Sequence, residues 1–176
     1  MKIGLCGTMS VGKTTLVNAL AELPEFKDYN FRTERSKYLM EMGIPLNTDS
    51  TTKGQAVFLA ERASELMQEN IITDRTIIDV MAFAKCSKSM DYIEAQDFCD
   101  FAANMLRDYD YIFYVSPEGV EIEDNGVRET DADYRKMIDE TIQLLLNKYN
   151  HRIKNLNTLA GTTEERIAQM KEVIFS

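Results

Sequence analysis

The stretch Gly7-Thr8-Met9-Ser10-Val11-Gly12-Lys13-Thr14 stands between a short apolar run at residues 3–6 and a segment of helical periodicity that begins at Lys13. Its spacing is G-x-x-x-x-G-K-[ST], which cradles phosphate when it joins a strand to a helix. Glycines at 7 and 12 let the backbone curl without a Cβ in the way, so successive N–H groups point inward. The following helix adds the partial positive charge of its N-terminus. Lys13 is expected to reach the β- and γ-phosphates of ATP and Thr14 to ligate magnesium through its hydroxyl. Thr15 is placed to contact the α-phosphate. Gly7, Thr8, Met9, Ser10, Val11, Gly12, Lys13, Thr14 and Thr15 thus form the candidate donor-binding loop. A chance glycine turn would not explain a lysine and a hydroxyl at these offsets.

Working outward, apolar runs at residues 3–6, 71–72, 111–115 and 153–159 alternate with longer stretches of helical period, and a weaker run lies near 29–33. This alternation predicts βαβ units, hence an α/β fold in three layers around a central parallel sheet of about five strands. Helices are expected over 13–21, 36–42, 52–69, 76–86, 92–106 and 163–173. In the clearest further helix, Tyr134, Met137, Ile138, Thr141, Ile142 and Leu145 form one stripe, with Thr130 or Asp131 as its cap. The helix over 52–69 sets Ala56, Leu59, Ala60, Ala63, Leu66 and Met67 on one broad face. No repeat, low-complexity tract or Gly/Ser linker interrupts the pattern, so residues 1–176 read as one domain.

At 176 residues the chain can bury a sizeable core. A net charge of -9 argues against a protein whose affinity comes from neutralising a nucleic-acid backbone. No stretch approaches the ~20 consecutive apolar residues of a membrane span, and no targeting segment opens the sequence, so a cytoplasmic protein is expected. Cys6, Cys86 and Cys99 have no metal-ligand spacing and read as reduced, buried thiols. His151, the single histidine, is assigned no role.

The third apolar run continues into Asp74-Arg75, at the carboxyl edge where open α/β sheets place their ligands. Asp74 could hold a magnesium-bound water or accept a proton from a phosphoryl acceptor, and Arg75 could grip a phosphate of either substrate. Other P-loop activities fit less well. Asn147-Lys148-Tyr149-Asn150 lacks the aspartate of a guanine-reading N-K-x-D segment. No strand ends in the adjacent acids of a motor or AAA-type ATPase, since 111–115 runs into Ser116-Pro117.

Together these residues resemble the P-loop nucleoside and nucleotide kinases, in particular the group with the ribosylnicotinamide kinase domain and phage-type deoxynucleotide kinases. The resemblance rests on the P-loop, Thr33-Glu34-Arg35, Phe58-Leu59-Ala60-Glu61-Arg62, Asp74-Arg75 followed by Asp79, and the segment 126–139. It implies a P-loop NTPase fold and an acid after the second strand facing the acceptor. Glu34 matches that position as a second candidate base, with Arg35 beside it. It also implies a lid over 121–131, with Arg128 and Arg135 as candidate donors to the transferring group, and a Gly161-Thr162 turn against adenine. That turn reads equally well as a simple helix start capped by Thr162 or Thr163. Tyr38, Met40 and Met42 fit core packing better than an acceptor pocket. Dimerisation is common among such kinases and is kept open here.

The function expected is an ATP- and magnesium-dependent kinase acting on a nucleoside or a (deoxy)nucleoside monophosphate, with ribosylnicotinamide kept open. Two alternatives stand beside it: a nucleotide-binding regulator or slow ATPase without an acceptor, and a polynucleotide 5′-end kinase. The latter would need a basic channel, against which the acidic balance counts.

Overall fold

The computed structural model of the chain describes residues 1–33, 36–120 and 131–176. Five strands, β1 (Lys2–Cys6), β2 (Asn30–Arg32), β3 (Ile71–Asp74), β4 (Tyr111–Val115) and β5 (Leu156–Leu159), form one parallel sheet in the order β2-β3-β1-β4-β5. The helices between them are α1 (Lys13–Ala21), α2 (Ser36–Glu41), α3 (Thr52–Glu65), α4 (Ile77–Lys85), α5 (Tyr92–Ala103), α6 (Ala132–Lys148) and α7 (Thr163–Phe175). This is the three-layer α/β architecture the sequence predicts. Among the described residues, no helix is long and apolar enough to cross a membrane.

Alternation along the central strands divides the core. Ile3, Leu5, Phe113 and Val115 point to one face and pack with Leu16, Val17 and Leu20 of α1 and Met170 of α7. Cys6 and Ile112 point to the other, against Ile77, Ile78 and Met81 of α4 and Ile138 and Ile142 of α6. Fully burying each such aliphatic side chain contributes about 1.5–3 kcal/mol before chain entropy is set against it. On the second face Gly4 has no freedom to become anything else, because a Cβ there would lie 2.8 Å from the Tyr109 ring and closer still to Thr76.

Local capping sets where the helices begin. Thr51 caps α3 through the Gly54 N–H, and Asp131 caps α6, the second of its two expected caps. Thr76 with Asp79, Asp91 with Glu94, and Thr162 with Glu165 form reciprocal capping boxes on α4, α5 and α7.

Several expectations need correction. The helix expected over 52–69 stops at Glu65, after which turns reverse the chain into β3. The strand expected from 153 starts at Leu156, behind a 3-10 turn over Asn150–Arg152. The buried face of α3 is Gln55, Leu59, Arg62 and Glu65, not the alanine face, and Met67 beyond it is 86% exposed. Met137 of α6 is likewise exposed while Asp139 is buried. Tyr38, Met40 and Met42 are exposed instead of packed in the core, and Leu39 takes the buried position of that segment.

The Tyr109 hydroxyl, buried with its ring, accepts the Ile77 N–H at 3.1 Å. Tyr109→Phe should cost about 1–3 kcal/mol in urea denaturation, because it leaves that buried donor unsatisfied without changing the packing.

Candidate active site

The loop between β1 and α1 is held from three directions. From beneath, the Asp79 carboxylate on α4 accepts the Gly7 N–H at 3.0 Å. From the α6 side, Arg135 donates through Nε to the Met9 carbonyl at 3.1 Å and through Nη2 to the Ser10 carbonyl at 3.2 Å. The Thr8 hydroxyl returns a hydrogen bond to the Arg135 carbonyl at 2.8 Å. From α7, Arg166 donates to the Val11 carbonyl at 2.6 Å and to that of Ser116, at the end of β4, at 3.3 Å. Ser10 and Gly12 have positive φ, 58° and 86°, which curls the loop. Met9 and Val11 anchor it by burying their side chains, and the Lys13 ammonium lies inside the curl, donating to the Gly7 and Thr8 carbonyls at 2.8 and 2.6 Å.

The end of β3 meets this loop because Leu5 of β1 and Asp74 of β3 are register partners. The Thr14 hydroxyl donates to Oδ2 of Asp74, while Oδ1 is buried and has no hydrogen-bond partner among the described residues. Two oxygens on adjacent elements, one of them an orphaned carboxylate oxygen, fit a magnesium ion, which needs one or two protein oxygens and takes its other ligands from phosphate and water. Among the described residues no group of three or more His, Cys, Asp or Glu forms a metal cluster of its own. Arg62 of α3 fixes the Asp74 backbone, donating to its carbonyl at 2.9 Å while pairing with Glu65 at 2.8 Å.

Arg75 has a φ of 81° and its N–H donates to the Leu5 carbonyl at 2.9 Å. Its guanidinium stands 5.0 Å from the centre of the Phe83 ring and 3.8 Å from Asp79 Oδ1. Two turns N-terminal to Arg62 on the same face of α3, Gln55 is 2% exposed and its Oε1 has no partner among the described residues.

On the other flank, a cleft of about 460 Å³ opens between β4 and α6, lined by Thr8, Tyr114, Ser116, Arg135, Lys136 and Asp139. Asp139 accepts the Tyr114 hydroxyl at 2.7 Å and the Gln143 amide at 2.8 Å. Burial, followed by this hydrogen bond to Asp139, pushes the Tyr114 hydroxyl well above its usual range and keeps it a donor. Loss of hydration lowers the Arg135 pKa, with Asp139 acting in the opposite direction. Loss of hydration likewise lowers that of Arg166.

Of the residues expected from sequence, Lys13, Thr14, Asp74, Arg75 and Arg135 thus converge on the loop. Thr15 is exposed on α1, and Gly161 and Thr162 are exposed at the start of α7, where Thr162 serves as the cap. Glu34, Arg35 and Arg128, with the segment 121–130, lie outside the described residues. Arg62 was legible only as part of a loose resemblance motif and Thr8 only as a member of the loop; Gln55 and Arg166 gave no signal of their own, because a polar residue within a helical period reads as solvated. Cys6 and Cys99 are buried free thiols and Cys86 is half-buried, with burial raising the Cys99 thiol to about 11. His151 sits exposed on a turn preceding β5, at the opposite edge of the sheet from the loop.

Arg62→Met keeps the volume of the side chain but removes a buried cation that binds both the Glu65 carboxylate and the Asp74 carbonyl. The expected cost is about 3–5 kcal/mol of stability, read by chemical denaturation.

A sequence profile of the AAA domain family matches residues 2–166. No curated protein matches the chain. Among solved structures, deoxyadenosine kinase from M. mycoides with bound dATP superposes with a TM-score of 0.69 at 17% identity, covering 100% of both chains. NadR protein in complex with NAD and AMP-PNP gives 0.70 at 16% identity, covering 99% of this chain and 49% of NadR. Thymidylate kinase from Ehrlichia chaffeensis gives 0.64 at 15% identity, covering 100% of this chain and 98% of its own. At these identities the likeness carries the fold, that of P-loop nucleoside and nucleotide kinases.

Proposed function

The chain belongs to the AAA domain family, and we propose that it is an ATP- and magnesium-dependent kinase that transfers the γ-phosphoryl group to a nucleoside or a (deoxy)nucleoside monophosphate. The observation that carries this reading is the meeting of the Thr14 hydroxyl with Asp74 at the mouth of the phosphate loop, with Arg75 beside it and Arg135 above. Family membership does not bring the motor-type reading with it, because among the described residues β3 ends in the single acid Asp74 and β4 runs into Ser116.

In this proposal an acceptor oxygen attacks the γ-phosphorus in line, and the bond to the departing ADP breaks. Lys13 offsets the charge that moves to the β–γ bridge. Arg135, already desolvated against the loop, offsets charge on the transferring group, where a poorly hydrated cation acts most strongly. Asp74 takes the acceptor's proton or orders a water beside the metal, and Arg75 holds a phosphate. A magnesium ion held by Thr14 and Asp74 would neutralise the β- and γ-oxygens. Glu34 as a second base, Arg35 on the acceptor and Arg128 on the transferring group belong to the same proposal on their place in the sequence. So does the Gly161-Thr162 turn as a support for the donor's base, beside Arg166, which binds the loop.

Incubation with ATP and magnesium against a panel of nucleosides, deoxynucleoside monophosphates and nicotinamide riboside should give acceptor-dependent ADP and a phosphorylated product by mass. Equal ADP formation in every well would instead mark a regulator or slow ATPase. Phosphate gained by an oligonucleotide alone would mark the polynucleotide kinase. Lys13→Ala should lower transfer roughly 10³-fold, with a lower melting point but a native fold by circular dichroism, since it also strips the Gly7 and Thr8 carbonyls of a buried donor. Asp74→Asn should depress turnover far more than ATP affinity.

We further propose a homodimer. Tyr92, Ile93 and Leu144 expose 79%, 69% and 70% of their surface on α5 and α6. Around them lie Asp91, the cap of α5, and Glu94, Asp97 and Asp100 on it, whereas Lys85 and Lys148 rim the neighbouring groove. A face that carries both signs complements its own copy across a two-fold axis. Leu144→Asp should halve the mass seen in sedimentation, and an unchanged monomeric mass for the wild type would refute the dimer.

A further inference from the structure

Asp79 takes part in more than a helix start. Its side chain is fully buried. Oδ2 accepts the Thr76 N–H at 2.6 Å and the Thr76 hydroxyl at 2.9 Å, which is all that the capping box of α4 requires. Oδ1 is turned elsewhere. It accepts the Gly7 N–H at 3.0 Å, from the first glycine of the phosphate loop, and faces Arg75 Nη1 at 3.8 Å. Capping explains the first oxygen and leaves the second unexplained.

Arg75 also needs an explanation. A non-glycine residue at a φ of 81° sits in a sparsely populated region and stays there only when its surroundings over-determine it. Here the surroundings are the Leu5 carbonyl, which accepts its N–H, the Phe83 ring against its guanidinium, and Asp79. The backbone strain aims this side chain, and the carboxylate that completes the arrangement is the one that holds the loop.

We infer that Asp79 is a positioning residue that ties the Gly7 amide and the Arg75 guanidinium to one buried carboxylate, keeping the donor-side loop and the acceptor-side arginine in fixed relation. The inference rests on the kinase reading, in which Arg75 holds a phosphate. A desolvated carboxylate is a stiff anchor, because every lost partner leaves charge uncompensated. Misplacement of a clamp by about 1 Å can cost on the order of 10²-fold in rate. Asparagine at this position keeps the shape but replaces one acceptor by a donor, which must then face the N–H of Gly7 or the donors of Thr76.

The test compares Asp79→Asn, Arg75→Ala and the double variant by kcat, acceptor KM, calorimetric affinity for MgADP and melting temperature. Asp79→Asn is expected to lower kcat by about 30–100-fold and raise the acceptor KM. It should weaken MgADP about tenfold through Gly7, roughly one lost hydrogen bond. In the Arg75→Ala background it should cost little further kcat, since its effect on transfer runs through that arginine. A folded Asp79→Asn protein with kcat and acceptor KM near those of wild type, or kcat losses that multiply in full, would overturn the inference. If the asparagine variant does not fold, Asp79→Glu serves, because glutamate at this helix position keeps the capping partner of Thr76 while one added methylene displaces the carboxylate from Gly7 and Arg75. The same outcomes then decide. Should the wild type transfer phosphate to no acceptor, the kinase reading fails by itself. MgADP affinity then judges Asp79, and an unchanged value would reduce it to a helix cap.

Discussion

Parallel pairing of β1 with β3, with Leu5 opposite Asp74, is the constraint on which the site depends. It brings the carboxyl end of β3 against the root of the phosphate loop, so that Asp74 meets the Thr14 hydroxyl and Asp79 meets the Gly7 N–H. Side chains alternate along a strand, so a slip of one residue would shift Asp74 by about 3.3 Å and turn it to the other face of the sheet. The apolar residues on both faces of β1 and β3 prevent that slip. Ile3 and Leu5 fill one layer, while Gly4 on the other admits the Tyr109 ring and Thr76 at close range. Core packing and the site's geometry are therefore one constraint.

The helices around the loop turn polar residues inward where sequence periodicity would place apolar ones. The alanine face of α3 lies outside, while Gln55, Arg62 and Glu65 lie within. Asp139 of α6 is buried while Met137 is exposed. Most of these polar groups have local work. Arg62 holds the Asp74 carbonyl, Asp139 receives the Tyr114 hydroxyl, and Arg135 and Arg166 hold the loop's outer carbonyls. A curled loop exposes carbonyls that no sheet or helix satisfies, and the half-buried Arg135 and the buried Arg166 supply the missing donors. The hydrophobic period of a helix is thus a poor guide where that helix borders the site.

The part of the site legible in the sequence is the part whose chemistry depends on near neighbours along the chain. Gly7 to Thr14 needs only its own spacing, and Asp74-Arg75 only its place at a strand end. Arg135 was legible as a candidate through the resemblance, although not its contacts with Met9 and Ser10. Arg62 was legible only as part of a resemblance motif, not for its hold on the Asp74 carbonyl, and Gln55 and Arg166 were illegible, because the partners lie far away in sequence or, for Gln55 Oε1, are absent among the described residues. The same reason accounts for β5, whose start at Leu156 is set by its ladder with β4 and not by its own apolar content.

By itself the sequence determined the alternation of strands and helices, the parallel sheet that such alternation requires, and the phosphate loop at its head. All of these follow from short-range periodicity and from the conformational freedom of glycine at two positions. The tertiary structure decided which face of each helix turns inward, which arginines bind the loop, and that Asp79 joins Gly7 to Arg75. These depend on strand order and register, which bring together atoms as much as 155 residues apart, as between Arg166 and Val11. Such encounters leave no trace in local pattern, because the free energy that selects them comes from satisfying buried polar groups that exist only once the sheet has formed.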